Sequence, residues 1–149
     1  MKIDRPVGTV QHGVDKQGKP WTRVYKVPYG ELPRTQGGDG EALDVFLGPH
    51  KDATKAYLVV QRKDDGTFDE FKLLLGFESA AAAKTTYLAH VPAKFFAGML
   101  ELPVSLIQGL LNKPPDHTLE KKAHETLQAL ALHFRVASTE TSHLLGSRT

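Results

Sequence analysis

The chain has 149 residues, 40% hydrophobic and 24% charged, with a net charge of +2 and no cysteine. That is length enough for one domain with its own core, and the scattered bases give no electrostatic footprint for a nucleic-acid partner. The absence of cysteine excludes disulfides, thiol nucleophiles and thiolate zinc sites and fits a cytoplasmic protein, while no apolar run approaches the roughly 20 residues of a membrane span and the N-terminus does not read as a signal peptide.

In chain order, residues 7 to 29 read as a hairpin. A short strand, Val7 to Val14, is followed by a turn over Asp15-Lys16-Gln17-Gly18-Lys19-Pro20. An alternating strand then places Trp21, Arg23, Tyr25 and Val27 on one side. Pro28-Tyr29-Gly30 ends it. From this strand Arg23 or Lys26 can reach an anion. Glu31 to Gly40 is a loop that delivers the chain into a strand over 42–47, closed by Gly48-Pro49. Residues 56 to 62 are nearly continuous in apolar character, the mark of a buried strand. Asp65-Gly66 signals a hairpin turn, and residues 68 to 77 return. Four or five antiparallel strands in the first half are consistent with a small antiparallel β-barrel or a strongly bent sheet.

The second half changes period. Ser79 is placed to cap a helix over the following alanine run, and Val91-Pro92 stops it. Residues 94 to 98 form an apolar link. A short helix follows Pro103, from Val104 to Leu111. After Pro114-Pro115 a longer helix runs to about Phe134, with Leu119, Ala123, Leu127, Leu130 and Phe134 as its apolar stripe. The stripe either covers the sheet or pairs with another subunit, so a homo-oligomer stays open. The expected organisation is a single α+β domain over 1–135. Strands occupy about 6–77, C-terminal helices flank them over about 79–135, and a flexible tail covers 136–149.

Two acidic stretches stand out. Asp39, Glu41 and Asp44 lie within six residues, on a glycine-rich loop running into Leu43-Asp44-Val45-Phe46-Leu47. An acid inside an apolar run is costly unless it is paired or metal-bound. Three acids held together repel one another unless a cation offsets the repulsion. A hard divalent cation with oxygen ligands does so, and Mg²⁺ is the usual choice when phosphate is the substrate. The calcium loop of an EF-hand fails here, because its ligand positions fall on Leu43 and His50. The second stretch holds Asp64, Asp65, Asp69, Glu70 and Lys72. Asp64 and Asp65 suit a solvated turn. Glu70 and Lys72 share one strand face, which puts an acid for a metal beside an ammonium for an oxyanion. The seven histidines have no spacing that marks a metal site.

Taken in order, Tyr29-Gly30, then Asp39-Gly40-Glu41-Ala42-Leu43-Asp44-Val45, then Asp65, Glu70 and Lys72, the chain resembles the family I soluble inorganic pyrophosphatases. Over roughly residues 6 to 95 it is similar to the short pyrophosphatase-like domains of phages and prophages. Glu41 and Glu70 stand where the family carries aspartate, and Ala42 where it carries proline or glutamate. Gln11 and Gly13 stand about where its N-terminal lysine and a nearby acid are sought. The resemblance implies an OB-like barrel and Mg²⁺-dependent hydrolysis of pyrophosphate or a related phosphoanhydride. It implies Asp39, Glu41, Asp44, Asp65 and Glu70 as metal ligands, with Glu41 and Asp44 catalytic. Tyr29, Lys72 and Arg23 are implied as contacts to the substrate. The alternative is a catalytically inactive accessory or interaction domain that keeps the fold.

Overall fold

A computed structural model describes residues 2–32 and 42–111. The strands are β1 (Lys2–Arg5), β2 (Val10–Val14), β3 (Pro20–Val24), β4 (Tyr29–Leu32), β5 (Leu43–Leu47), β6 (Lys55–Arg62), β7 (Phe68–Leu75) and β8 (Phe96–Pro103). The helices are α1 (Ala80–Leu88) and α2 (Val104–Leu111), and a 3₁₀ turn spans Ala93–Phe95. Six strands form one sheet in the order β1-β4-β5-β7-β6-β8, and β2 and β3 form a separate two-stranded ribbon.

The central strands β5, β7 and β6 are covered on both faces, and the stretches 56–60 of β6, 45–47 of β5 and 73–75 of β7 are accordingly continuous in apolar residues. Alternation still sorts them. Leu43, Val45, Leu58, Val60, Phe71 and Leu73 point to one face, where Ile107 of α2 joins them. Phe46, Val59 and Leu74 point to the other, under Tyr87 of α1 and the ring of Tyr25. The ends of β5 and β7 meet at a glycine pair. Gly48 N–H donates to Leu75 C=O at 2.6 Å and His50 N–H to Gly76 C=O at 2.8 Å. A Cβ at Gly48 would run into the Gly76 carbonyl, and Gly76 adopts φ +80°, a conformation glycine reaches without steric cost.

The cap at α1 is as expected: Ser79 Oγ accepts from the Ala82 N–H at 3.1 Å. Helix α2 begins and ends at the expected residues, and its Val104 N–H is satisfied by the Thr54 carbonyl at 2.9 Å.

Four expectations change. The described strands form an open sheet with β1 and β8 at its edges, not a closed barrel. The sheet is not wholly antiparallel: β5 and β7 run parallel, because β6 lies outside β7 and the hairpin returns β7 to the middle. Tyr29-Gly30 does not end the first hairpin but opens β4, which pairs with β1 and β5. Residues 96 to 103, read as a link and a helix approach, form β8 on β6. The longer helix to Phe134 and the tail 136–149 lie outside the described residues. Among the described residues no helix is long and apolar enough to cross a membrane, which says nothing of strands.

Candidate active site

The parallel pairing of β5 and β7 sets Asp44 opposite Lys72. Both project onto the face that carries Phe46 and Leu74, since each is two residues from one of these. Lys72 Nζ donates to Asp44 Oδ2 at 2.7 Å and to the Tyr29 hydroxyl at 2.8 Å. It also pairs with Glu70 Oε1 at 2.7 Å. The Tyr29 hydroxyl in turn donates to Asp44 Oδ2 at 2.7 Å. An ammonium has three donors and no acceptor, and here each donor meets an oxygen. Lys72 is only 7% exposed, so the charge is held in one place rather than left on a free arm.

The electrostatics follow from burial and these partners. Burial by itself disfavours the Lys72 ammonium, but Tyr29, Glu70 and Asp44 outweigh it and hold its pKa above the ordinary lysine value. Burial raises the Tyr29 phenol, opposed by Lys72 and reinforced by Asp44. Burial also raises Glu70, against the pull of Lys72. One ammonium serves two carboxylates, so the cluster keeps a net negative charge.

A third carboxylate joins through a bulge. Gln61 of β6 faces Glu70 and Arg62 faces Phe68, which leaves Asp69 as the extra residue of β7. The bulge turns Asp69 to the side of Glu70. Gln61 Nε2 donates to Asp69 Oδ2 at 3.0 Å and reaches Glu70 Oε1 at 3.5 Å. Tyr87 of α1 fixes the amide by donating to Gln61 Oε1 at 2.8 Å. The bonds to Gln61 and Tyr87 hold the carboxylates from the helix side.

Of the residues singled out in the sequence, Tyr29, Asp44, Glu70 and Lys72 are therefore together. Asp65 is elsewhere: its Oδ1 accepts from the Thr67 N–H at 2.9 Å and the Thr67 hydroxyl at 2.6 Å in the β6–β7 turn. Those bonds hold its carboxyl below the ordinary aspartate value. Arg23 lies on the ribbon. Its Nη1 donates to the Tyr25 hydroxyl at 3.4 Å, and its buried Nε has no hydrogen-bond partner. Asp39 and Glu41 lie outside the described residues. Asp69 belongs to the second acidic stretch, although alternation points it away from Glu70; Gln61 carries no signal in the sequence.

Among the described residues no group of three or more His, Asp or Glu is placed to hold a metal ion. Asp44 and Glu70 nevertheless supply what a hard divalent cation prefers, carboxylate oxygens in a field of net negative charge. They fit as part of a cage whose other members would come from elsewhere in the chain. A protein-family model described as Inorganic Pyrophosphatase matches residues 1–111. A search of curated proteins finds no match.

Proposed function

This chain belongs to the inorganic pyrophosphatase family, and we propose on that premise that it hydrolyses a phosphoanhydride bond, in pyrophosphate or a related compound, with Mg²⁺ as cofactor. The observation that carries the reading is the buried Lys72 ammonium between Asp44 and Glu70, two carboxylates from the two separate acidic stretches. A fixed cation among acids suits a substrate that is itself an anion held by cations.

Asp44 and Glu70, joined by Asp39 and Glu41 and by Asp69 on the bulge, would hold the metal. When bound, Mg²⁺ supplies charge neutralisation and a more acidic water. Lys72 Nζ and the Tyr29 hydroxyl are the donors for phosphate oxygens, and Arg23 is a second cation on the ribbon side. Glu41 and Asp44 accept the proton of the attacking water. The water oxygen bonds to phosphorus in line, the bridging P–O bond breaks, and the leaving phosphate takes the electron pair. The test is phosphate release from pyrophosphate by the full chain. Turnover with Mg²⁺ is expected; none with Mg²⁺, Mn²⁺ or Zn²⁺ removes the reading.

One observation favours the second reading, an inactive accessory domain. Asp65, a metal ligand by the resemblance, is engaged with Thr67 in a turn. Thermal stabilisation by Mg²⁺ and pyrophosphate without hydrolysis selects that reading.

A further inference from the structure

A cavity of about 660 Å³ lies between the β2–β3 ribbon and the C-terminal end of α1, lined among others by Lys16, Trp21, Arg23, His90, Lys94 and Phe95. We propose that this cavity is a subsite for the planar aromatic group of an organic phosphoanhydride, of the nucleoside diphosphate class, whose phosphates run past Arg23 toward the Asp44–Lys72 cluster. The proposal rests on the hydrolase reading above and names its substrate class.

The volume lies within the roughly 300–1,000 Å³ of small-molecule sites. The ribbon wall is aromatic. Trp21 faces Gly13 across the ribbon, and a Cβ at Gly13 would run into the indole. The missing side chain thus lets the indole lie over the strand. Trp21 remains 37% exposed, a surface on which a planar ring can stack. The opposite wall is apolar at Val91, Pro92 and Phe95.

Arg23 supplies the cation. Lys94 is paired with Asp64 at 2.9 Å, whereas Arg23 has no carboxylate partner among the described residues. Among the described residues its five donors meet one acceptor, the Tyr25 hydroxyl, and the buried Nε meets none. A buried donor without a partner is costly, and an arriving anion offsets the guanidinium charge. Arg23 lines the cavity and is linked to the cluster through aromatic rings. The Tyr25 ring, whose hydroxyl it touches, is 5.2 Å from the Tyr29 ring, and Tyr29 holds Lys72. Its charge also reaches Tyr87, where it opposes the rise that burial imposes on the phenol, and Tyr87 anchors Gln61.

The reaction balances with water alone. A water oxygen bonds to phosphorus, the anhydride P–O bond breaks, and the leaving group departs with the electron pair. The water proton passes to a carboxylate and then to solvent. A nucleoside diphosphate yields a nucleoside monophosphate and phosphate.

Trp21 is the sole tryptophan, so its emission reads the cavity directly. The full chain is titrated with Mg²⁺–ADP and with Mg²⁺–pyrophosphate while phosphate release is followed. Saturable quenching by ADP but not by pyrophosphate is expected, together with hydrolysis of ADP. The ratio of kcat/KM for ADP to that for pyrophosphate should fall at least about ten-fold in Trp21→Ala, and likewise in Leu88→Trp, which fills the cavity from α1. Pyrophosphate hydrolysis with no quenching and no hydrolysis by ADP overturns the subsite and leaves the hydrolase reading standing. Saturable quenching with neither compound hydrolysed supports the subsite and removes the hydrolase reading. Neither quenching nor hydrolysis overturns both.

Discussion

The two faces of the six-stranded sheet are built from alternate residues of the same strands, yet they differ in kind. One is mainly aliphatic and wholly apolar, with Leu43, Val45, Leu58, Val60 and Leu73 fully buried, the Phe68 and Phe71 rings beside them and Ile107 closing it. The other is aromatic and polar, with Tyr25, Tyr29, Phe46 and Tyr87 around Asp44, Glu70 and Lys72. On the first face a side chain contributes by filling space. On the second, each polar atom needs a partner, and the rings give the cluster a setting of low polarity in which charges act strongly. One sheet can therefore carry a charged site because its other face supplies plain apolar burial.

The largest effect that tests this contrast is at Lys72. Lys72→Met leaves Asp44 and Glu70 without their shared cation. Breaking a buried pair in this way costs about 3 kcal/mol of stability, and loss of a preorganised charge lowers kcat by about 10²–10³-fold. Urea unfolding and phosphate release measure the two. If activity survives while stability falls, the polar face is only structural. Next is Leu58→Ala on the aliphatic face, expected to cost about 2–5 kcal/mol in the same unfolding assay. Activity per folded molecule should stay near that of the native chain. A loss of turnover there would blur the division between the faces.

The bulge gives a smaller and sharper comparison. Asp69→Asn is expected to weaken Mg²⁺-dependent activity by about 10-fold, since its carboxylate lies beside Glu70. Asp65→Asn, in the turn, is expected to change it by less than about two-fold. Magnesium titrations of both variants check the pair, and the reverse order would return the metal role to Asp65.

The smallest effect is at His90, between the Phe46 and Tyr25 rings. Its Nε2 accepts from the Lys26 N–H at 2.9 Å, and its Nδ1 lies 2.7 Å from the Thr86 carbonyl. Both contacts are satisfied by the neutral ring with its proton on Nδ1. Burial lowers the His90 pKa below the ordinary 6.5, opposed by the Thr86 carbonyl and aided by Arg23 and Lys26. A depressed folded pKa means that this stabilisation is complete above pH 6.5 and is lost as pH falls through the folded value. Thermal melts should show a lower Tm at pH 5 than at pH 7. The part of the slope due to His90 should vanish in His90→Gln, which stays neutral.

Local signals were read well where local physics decides. Ser79 before the alanine run, the helix after Pro103 and the Asp65-Gly66 turn all stand where the sequence put them. Asp44, Glu70 and Lys72 are conspicuous in the sequence as charges next to apolar residues, but their meeting is not a local property. Strand β8 was missed because its residues Phe96 to Pro103 lack the alternation of an exposed strand and follow a 3₁₀ turn. Strand β1 was missed because Lys2 to Arg5 is too short and too polar to signal; its place comes from pairing with β4.

By itself the sequence determined which residue types could do chemistry, since side-chain charge and local periodicity are properties of neighbouring residues. It did not determine partners. That Asp44 faces Lys72 follows from β7 entering the sheet beside β5, a choice made by burial of both strands on two faces. That Asp69 stands with Glu70 follows from one extra residue in a strand register, while Asp65 is kept in the turn by its bonds to Thr67. Register is fixed by contacts between distant segments, so only the tertiary structure could decide which of the four acids of the second stretch meet the lysine.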